Sequence, residues 1–523
     1  MATPPLLEDF NRLQCARPRD LGLARKLPFE GACGTRSHGL HRNALQRSAV
    51  LCRALQCSAV LCSALQCFAM LREYLIDAAI SAETIIGASV FTTQSTTREL
   101  GKIYQQVQTN SAPAYQGDAW QTMGEEDTAY YETKSFKWNN RDTTEFYLME
   151  GRVTVPNYQV GDVPYNRNGE LQFIDGEPSV VQDETIRFTL AIPKTESPGE
   201  NGCYPITQYA HGTGGSAYSM VAETSGRLAA RGIASIGIDM PIHGTRNANK
   251  NFDVNIASFN FANPDSARSI FRQAAIDTWA LTRFVQDSLY VDAARSPTGS
   301  EICFNTEKIG FFGHSQGGIS GSLALAFEED VDTWVFSGAG GGLSITILER
   351  KDPVDFEELI RFLAEIPAEE ELSELHPLST LIQAAVDITD PINYAPSWNP
   401  RRTTSPKNIM LTSGCYDEQT PHRSSTALAI AGRVPLVEPS AMESDLYTLA
   451  ELPSVNAPVS ENLDGTSTGG FLQWCGSVTQ PNQSNHFLIF NNAEAINASI
   501  EFLKTGITED QAVIERDPNA DVK

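Results

Sequence analysis

The stretch that most limits what this chain can fold into is "KIGFFGHSQGGISGSLALAFEE", Lys308–Glu329. A β-like apolar run, a serine between two glycines, and an Ala/Leu-rich helical run follow one another without a gap. The centre, Gly313-His314-Ser315-Gln316-Gly317, fits G-x-S-x-G, a pattern short enough to arise by chance. Between a strand and a helix it describes a steep turn that lifts one hydroxyl to the end of a sheet, and the flanking glycines give the backbone room to make it. A serine hydroxyl is a weak nucleophile at neutral pH, so it needs a base and a third group that holds the base.

The rest of the chain supplies a setting for that turn. After Cys203 the sequence alternates strand, loop and helix: "YPITQYAHGTGG", "LAARGIASIGIDMPIHG", the long amphipathic "DSARSIFRQAAIDTWALTRFVQDS", then "DTWVFSGAGGG" and "KNIMLTSGCYDEQTP". Such alternation predicts a mostly parallel α/β sheet. Upstream, "TRELGKIYQQVQ" reads as helix. "TEFYLMEGRVTVPNY" and "ETIRFTLAIP" alternate with period two, placing Ile186, Phe188, Leu190 and Ile192 on one face of an antiparallel strand. These strands either form a small β-domain or extend the main sheet. Residues 345–395 interrupt the rhythm with "VDFEELIRFLAEI" and "LSTLIQAAVDI", two amphipathic helices that predict a cap over a cleft in preference to a plain crossover.

Eight histidines are available to serve Ser315. His38 and His41 fall in the N-terminal extension. His314 sits inside the turn and cannot easily face its neighbour, and His211 and His243 precede glycines at strand ends and order loops. His376 lies in the cap. His422 and His486 are left. The order expected for a nucleophile on such a turn is Ser, acid, His. Asp417 follows the strand "NIMLTSG" and His486 precedes the final helix, so Asp417 and His486 are the favoured acid and base, with Glu418 and His422 as runners-up. Acyl chemistry also needs donors for a developing oxyanion. The N–H of Gln316 is one, and the glycine loop "HGTGG" (His211, Gly212) supplies the N–H of Thr213 as the other, with the Thr213 hydroxyl as an added donor. Asp239 braces nearby loops.

With "HGTGG", "GIDMPIHG", "FNFANPDSARSIFRQAAIDTWAL", "GHSQGG", "DEQTP" and the late "NHF" together, residues 140–505 resemble the α/β-hydrolase superfamily. More narrowly the chain is similar to bacterial secreted or surface lipases of the virulence-factor-lipase type. The resemblance implies a mostly parallel eight-stranded sheet flanked by helices, with an N-terminal β-rich extension and a helical cap. It further implies ester hydrolysis by a Ser315–His486–Asp417 triad through an acyl-enzyme, and no cofactor or metal. Gln316 is a departure, since Leu is frequent there, and a polar neighbour loosens any restriction to lipids. A polyester depolymerase with the same triad is the alternative function, and a prolyl-type serine peptidase a weaker one. In the superfamily's strand order the strands that follow Cys203 and Cys303 are neighbours, and Cys415 and Cys475 flank the acid and base loops. Cys203–Cys303 and Cys415–Cys475 are the disulfides this implies.

Charge and cysteine usage set the remaining expectations. Residues 1–72 hold six of the ten cysteines and a net charge of +6, which leaves −31 on the other 451 residues. So acidic a body excludes nucleic acid and anionic membrane as main partners. The expected partner is a small or lipidic ester, or a polyester surface, met by a monomer. The 1–72 segment carries a repeat, "SAVLCRALQC" then "SAVLCSALQC", and an uncharged run Ala54–Leu71. It reads as an export segment or a misassigned start, less well as an anchor, and outside the fold. Residues 73–200 are expected as an N-terminal region, 201–510 as the catalytic domain and 511–523 as a disordered acidic tail. Two disulfides in the body would suit a secreted, periplasmic or cell-surface protein.

Overall fold

A computed structural model describes residues 94–115, 121–122, 144–247, 252–398, 407–442, 444–476, 485–509 and 511–517. The repeat, and everything expected of residues 1–93, lies outside them. The sheet and the site both belong to one unit, residues 96–523.

Eight strands make the main sheet: β1 Phe146–Asn157, β2 Gln182–Pro193, β3 Tyr204–Ala210, β4 Ala234–Ile238, β5 Phe304–His314, β6 Val331–Ser337, β7 Asn408–Gly414 and β8 Gly469–Trp474. Their spatial order is β1-β2-β4-β3-β5-β6-β7-β8, and a two-residue strand, Gln121–Thr122, pairs on the outer edge of β1 as a ninth. β2 is antiparallel to both β1 and β4, and every pair from β4 to β8 is parallel. This is the α/β-hydrolase fold. The order reverses between β4, β3 and β5, which places the ends of β3 and β5 side by side at a switch point where open sheets bind their ligands.

The parallel strands are buried on both faces and rich in apolar residues, with a few buried polar ones such as Thr207, Gln208 and Ser235 among them. Along β5, Phe311 enters one apolar cluster with Trp279 and Phe284, and Phe312 enters the other with Phe502 and Leu503, as strand alternation demands. Trp279 and Phe284 come from helix α2, Pro264–Asp287, which matches the long amphipathic segment. Phe502 and Leu503 come from the C-terminal helix Ala493–Thr508. In β2 the expected face is buried, and so is the opposite one from Ile186 onward: Ile186, Phe188, Leu190 and Ile192 enter one apolar cluster and Ala191 the other.

One expectation left open is decided and one needs correction. Of the two readings of the strands ahead of Cys203, extension of the main sheet is the one observed: β1 and β2 share the sheet with β3 to β8, and helix α1 (Arg98–Thr109) contributes Leu100 and Ile103 to the same core. The tail is not disordered as far as 517. Ile514 is fully buried and bridged to Val459, and Ala512 packs with it. Residues 518–523 lie outside the described set.

Among the described residues the connection from β6 to β7 contains three α-helices and three short 3₁₀ helices. Helix α3 is the Gln316–Leu325 helix after β5. The insertion then holds α4 Leu343–Glu349, α5 Phe356–Leu363 and α6 Pro377–Val386. Asp355 caps α5 by accepting from the Glu358 N–H, and Pro377 opens α6. Ile347, Ile360 and Leu372 give this insertion a small apolar cluster of its own.

Candidate active site

Ser315 stands between β5 and α3 with φ 54° and ψ −119°, a backbone state that a non-glycine residue holds only when its surroundings force it. The Ser315 N–H donates to the carbonyl of Ser337 at the end of β6 (2.8 Å). Gly317 makes the turn possible: a Cβ there would lie 2.0 Å from the Ala210 carbonyl oxygen at the end of β3. A methyl on Gly212 would likewise sit 3.1 Å from the Ser315 Cβ, so the glycine loop after β3 runs directly beside the serine. The topology thus brings two segments about a hundred residues apart to one point.

Asp417 follows β7 and His486 follows the loop after β8. His486 Nδ1 and Asp417 Oδ2 are 2.8 Å apart, and both side chains are shut off from solvent. The other carboxylate oxygen, Oδ1, accepts from the N–H groups of Gln419 (2.8 Å) and Thr420 (2.9 Å), so the acid cannot rotate away. With its Nδ1 proton donated to a carboxylate, the neutral imidazole keeps its lone pair at Nε2. That is the tautomer a proton acceptor needs. The His486 ring lies 4.9 Å from the ring of His314, next to Ser315 in the chain.

The runners-up take other places. Glu418 faces the insertion, where its carbonyl accepts from the N–H groups of Lys351 and Asp352. His422 opens helix α7, His422–Ala431, with Nδ1 on the Ser413 hydroxyl and Nε2 on Thr426.

The glycine loop is organised by His211. Its Nδ1 bonds the Gly212 carbonyl (2.8 Å) and its Nε2 accepts from the Met240 N–H (3.1 Å). Burial pushes His211 down to about 4, so the ring is neutral in this double role. His314 is also held well below its ordinary value, by burial and by the neighbouring His486. Asp239 is saturated: Oδ1 accepts from Arg187 and the Ala217 N–H, Oδ2 from the N–H and hydroxyl of Thr245. The Thr213 hydroxyl, expected as an oxyanion donor, instead donates to Gln316 Oε1 (2.8 Å). The Gln316 N–H lies in the first turn of α3, where helical N–H groups have no helical acceptor.

Cys203–Cys303 joins the residues just ahead of β3 and β5, with Cα atoms 4.7 Å apart. Cys415–Cys475 joins the residues directly after β7 and β8, with Cα atoms 4.8 Å apart. The second bond ties the Asp417 loop to the end of the strand that leads toward His486.

Sequence reading missed one buried charge beside the acid. Arg350, at the end of α4, packs its guanidinium against the rings of both Phe259 (4.7 Å) and Phe356 (4.6 Å), which also touch each other. Burial pushes it down to about 10, with Asp417 and Asp352 pulling it back. Only the fold brings Arg350 near residue 417, and nothing in its local sequence signals the contact.

No protein-family model matches the chain, and no curated protein matches it. Solved structures similar to it include acetyl xylan esterase 1 from Thermoanaerobacterium sp., at 13% identity and TM-score 0.38, covering 65% of this chain and 85% of that one. An acetyl xylan esterase from Paenibacillus sp. matches at 13% identity and TM-score 0.40, covering 66% and 86%. The acylaminoacyl peptidase of Pyrococcus horikoshii matches at 11% identity and TM-score 0.36, covering 70% and 49%. The fold assignment rests on the strand order and not on these likenesses.

Proposed function

We propose that this chain, an α/β-hydrolase by its fold, is a serine carboxylic-ester hydrolase. The observation that carries the reading is the buried His486–Asp417 hydrogen bond at the strand ends where Ser315 occupies its strained turn. Ser315 Oγ attacks the ester carbonyl while His486 Nε2 takes its proton, and Asp417 holds and stabilises the imidazolium. The N–H groups of Thr213 and Gln316 receive the negative oxygen, each such donor being worth about 3 kcal/mol. His486 then protonates the departing alcohol. Water, deprotonated by the same imidazole, releases the acid from the acyl-enzyme.

The substrate is a small or lipidic ester, with a polyester surface as the second reading. A prolyl-peptidase reading loses ground, because the region before Cys203 is built into the main sheet. The helices α4–α6 act as the cap, and the protein works as a monomer without a metal or cofactor. The two disulfides suit an oxidising compartment, secreted or periplasmic. Among the described residues no helix is long and apolar enough to cross a membrane.

A fluorophosphonate probe should label the wild-type protein and fail to label Ser315→Ala. His486→Ala and Asp417→Asn should lower kcat on p-nitrophenyl acetate by about 10³-fold or more. Labelling that persists in Ser315→Ala would sink the assignment. A p-nitrophenyl ester panel from C2 to C16, run beside a polyester film, separates the substrate readings.

A further inference from the structure

The Asp417 carboxylate is oriented from behind by its own loop, where Oδ1 accepts from the N–H groups of Gln419 (2.8 Å) and Thr420 (2.9 Å). Residues 418 and 419 are in turn held by the cap insertion. The Glu418 carbonyl accepts from the N–H of Lys351 (2.8 Å) and, at longer range, of Asp352 (3.3 Å). The Gln419 side chain donates from Nε2 to Asp352 Oδ2 (2.8 Å), across 67 positions of sequence. Lys351 and Asp352 lie just past the end of α4.

The cap end of this bridge is itself fixed. The Arg350 N–H closes the last turn of α4 on the Thr346 carbonyl (2.9 Å), and Arg350 Nε donates to the Asp352 carbonyl (3.1 Å). Its guanidinium packs on Phe259, ahead of α2, and on Phe356, at the start of α5. Helix α4 also meets α7, which follows the acid loop, through the Thr346 and Ser424 hydroxyls (2.9 Å).

A series of hydrogen bonds therefore runs from cap to base: Gln419 Nε2 to Asp352 Oδ2, the Gln419 N–H to Asp417 Oδ1, and Asp417 Oδ2 to His486 Nδ1. If Gln419 shifts, its N–H leaves Oδ1 and the carboxylate is freer to turn. A turned carboxylate misaims His486, and small errors of aim at a reacting centre are costly.

We propose that Asp352 is a positioning residue of the triad: it fixes Gln419 from the cap, Gln419 fixes the Asp417 carboxylate, and the seating of the cap thereby sets turnover. The proposal rests on the Ser315–His486–Asp417 reading. Because Asp352 acts through the acid and not on the substrate, its loss falls on kcat and spares KM.

The test uses the full chain and p-nitrophenyl acetate, with kcat expressed per serine labelled to completion by fluorophosphonate. Asp352→Ala and Gln419→Leu should each lower kcat about tenfold with KM little changed, and the double variant should fall no further than either. Asp352→Asn keeps an oxygen that can accept from Gln419 Nε2, and should stay within about threefold of wild type. Glu374→Gln is the control, since Glu374 ties the cap to Arg423 on α7 (2.8 Å) by a contact that does not pass through Gln419. It should leave kcat unchanged. Wild-type kcat in Asp352→Ala, or a rise in KM alone, overturns the positioning role. Asp352→Asn falling as far as Asp352→Ala overturns the hydrogen bond as its route, and so does an equal loss in Glu374→Gln. Failure of the triad reading looks different: fluorophosphonate then labels Ser315→Ala as it labels wild type, or labels neither.

Discussion

At the scale of single residues, the pair that most repays attention is Thr213 and Gln316. Each is expected to offer its N–H to the oxyanion, and their side chains are joined by the Thr213 hydroxyl donating to Gln316 Oε1. The Gln316 side chain is buried, so its polarity does not face the substrate, and its presence there says little about whether lipids are accepted. It ties the two proposed oxyanion donors to each other. Gln316→Leu keeps the N–H but removes the acceptor, leaving the Thr213 loop free to shift, and a donor misplaced by a fraction of an ångström loses much of its value. Gln316→Leu and Thr213→Val should each lower kcat on p-nitrophenyl acetate about tenfold with KM little changed. Because both remove the same bond, the double variant should fall no further than either single one. Losses that multiply would show that the bond does not position the loop. Pattern and spacing placed both residues at the site, but the bond between side chains 103 positions apart exists only once β3 and β5 are neighbours.

Among elements, what was legible follows from how strongly each segment repeats. β3, β4 and the second half of β5 are apolar-rich segments that each lead into a glycine-containing loop, and α2 carries its amphipathic period for 24 residues. Their existence and order could be read directly. β8 was not read as a strand: "GGFLQW" begins with two glycines and buries all six residues, so it shows no alternation. The tail was misread because its acidic composition outweighed Ala512 and Ile514, two apolar residues that strands elsewhere in the chain cover. The two disulfides sit differently with respect to this framework. Cys203–Cys303 staples the starts of two strands far from the chemistry, closing a loop of 100 residues. Cys415–Cys475 sits two residues from Asp417, and beyond it the Gly476 N–H donates to Asn485 Oδ1, beside His486. Replacing the first pair by serines should cost up to about 4.7 kcal/mol of stability by the chain-entropy argument and leave kcat unchanged at permissive temperature. Replacing the second should lower kcat about tenfold even where the protein is fully folded, because the His486–Asp417 geometry loses a tether. Equal kcat for both double variants under conditions where circular dichroism shows them folded would contradict this difference.

For the molecule as a whole, buried titratable groups set how stability depends on pH. Burial holds His211 and His422 down to about 4 and His243 down to about 3, and His314 is lowered as well. Each is neutral in the folded chain over a range where the unfolded chain, with its ordinary value of 6.5, binds a proton. Their contribution is fully present above 6.5 and is lost as pH falls toward 4. Glu328 opposes them. Burial raises it from 4.5 to about 7, so its contribution is present below 4.5 and is lost as pH rises through 7. Between pH 4.5 and 6.5 the four histidines outnumber the one raised carboxyl of known size, and acidification should destabilise the protein. The balance can be split with two variants outside the triad, whose other buried acids cancel in the comparison. Take the stability gained between pH 5 and pH 7.5, measured by urea unfolding. His422→Gln removes a group that drives that gain and should shrink it by roughly 2 kcal/mol. Glu328→Gln removes a group that works against it and should enlarge it by roughly 2 kcal/mol. The two changes must have opposite signs. If both variants moved the gain in the same direction, burial would not be the cause of one of the two shifts.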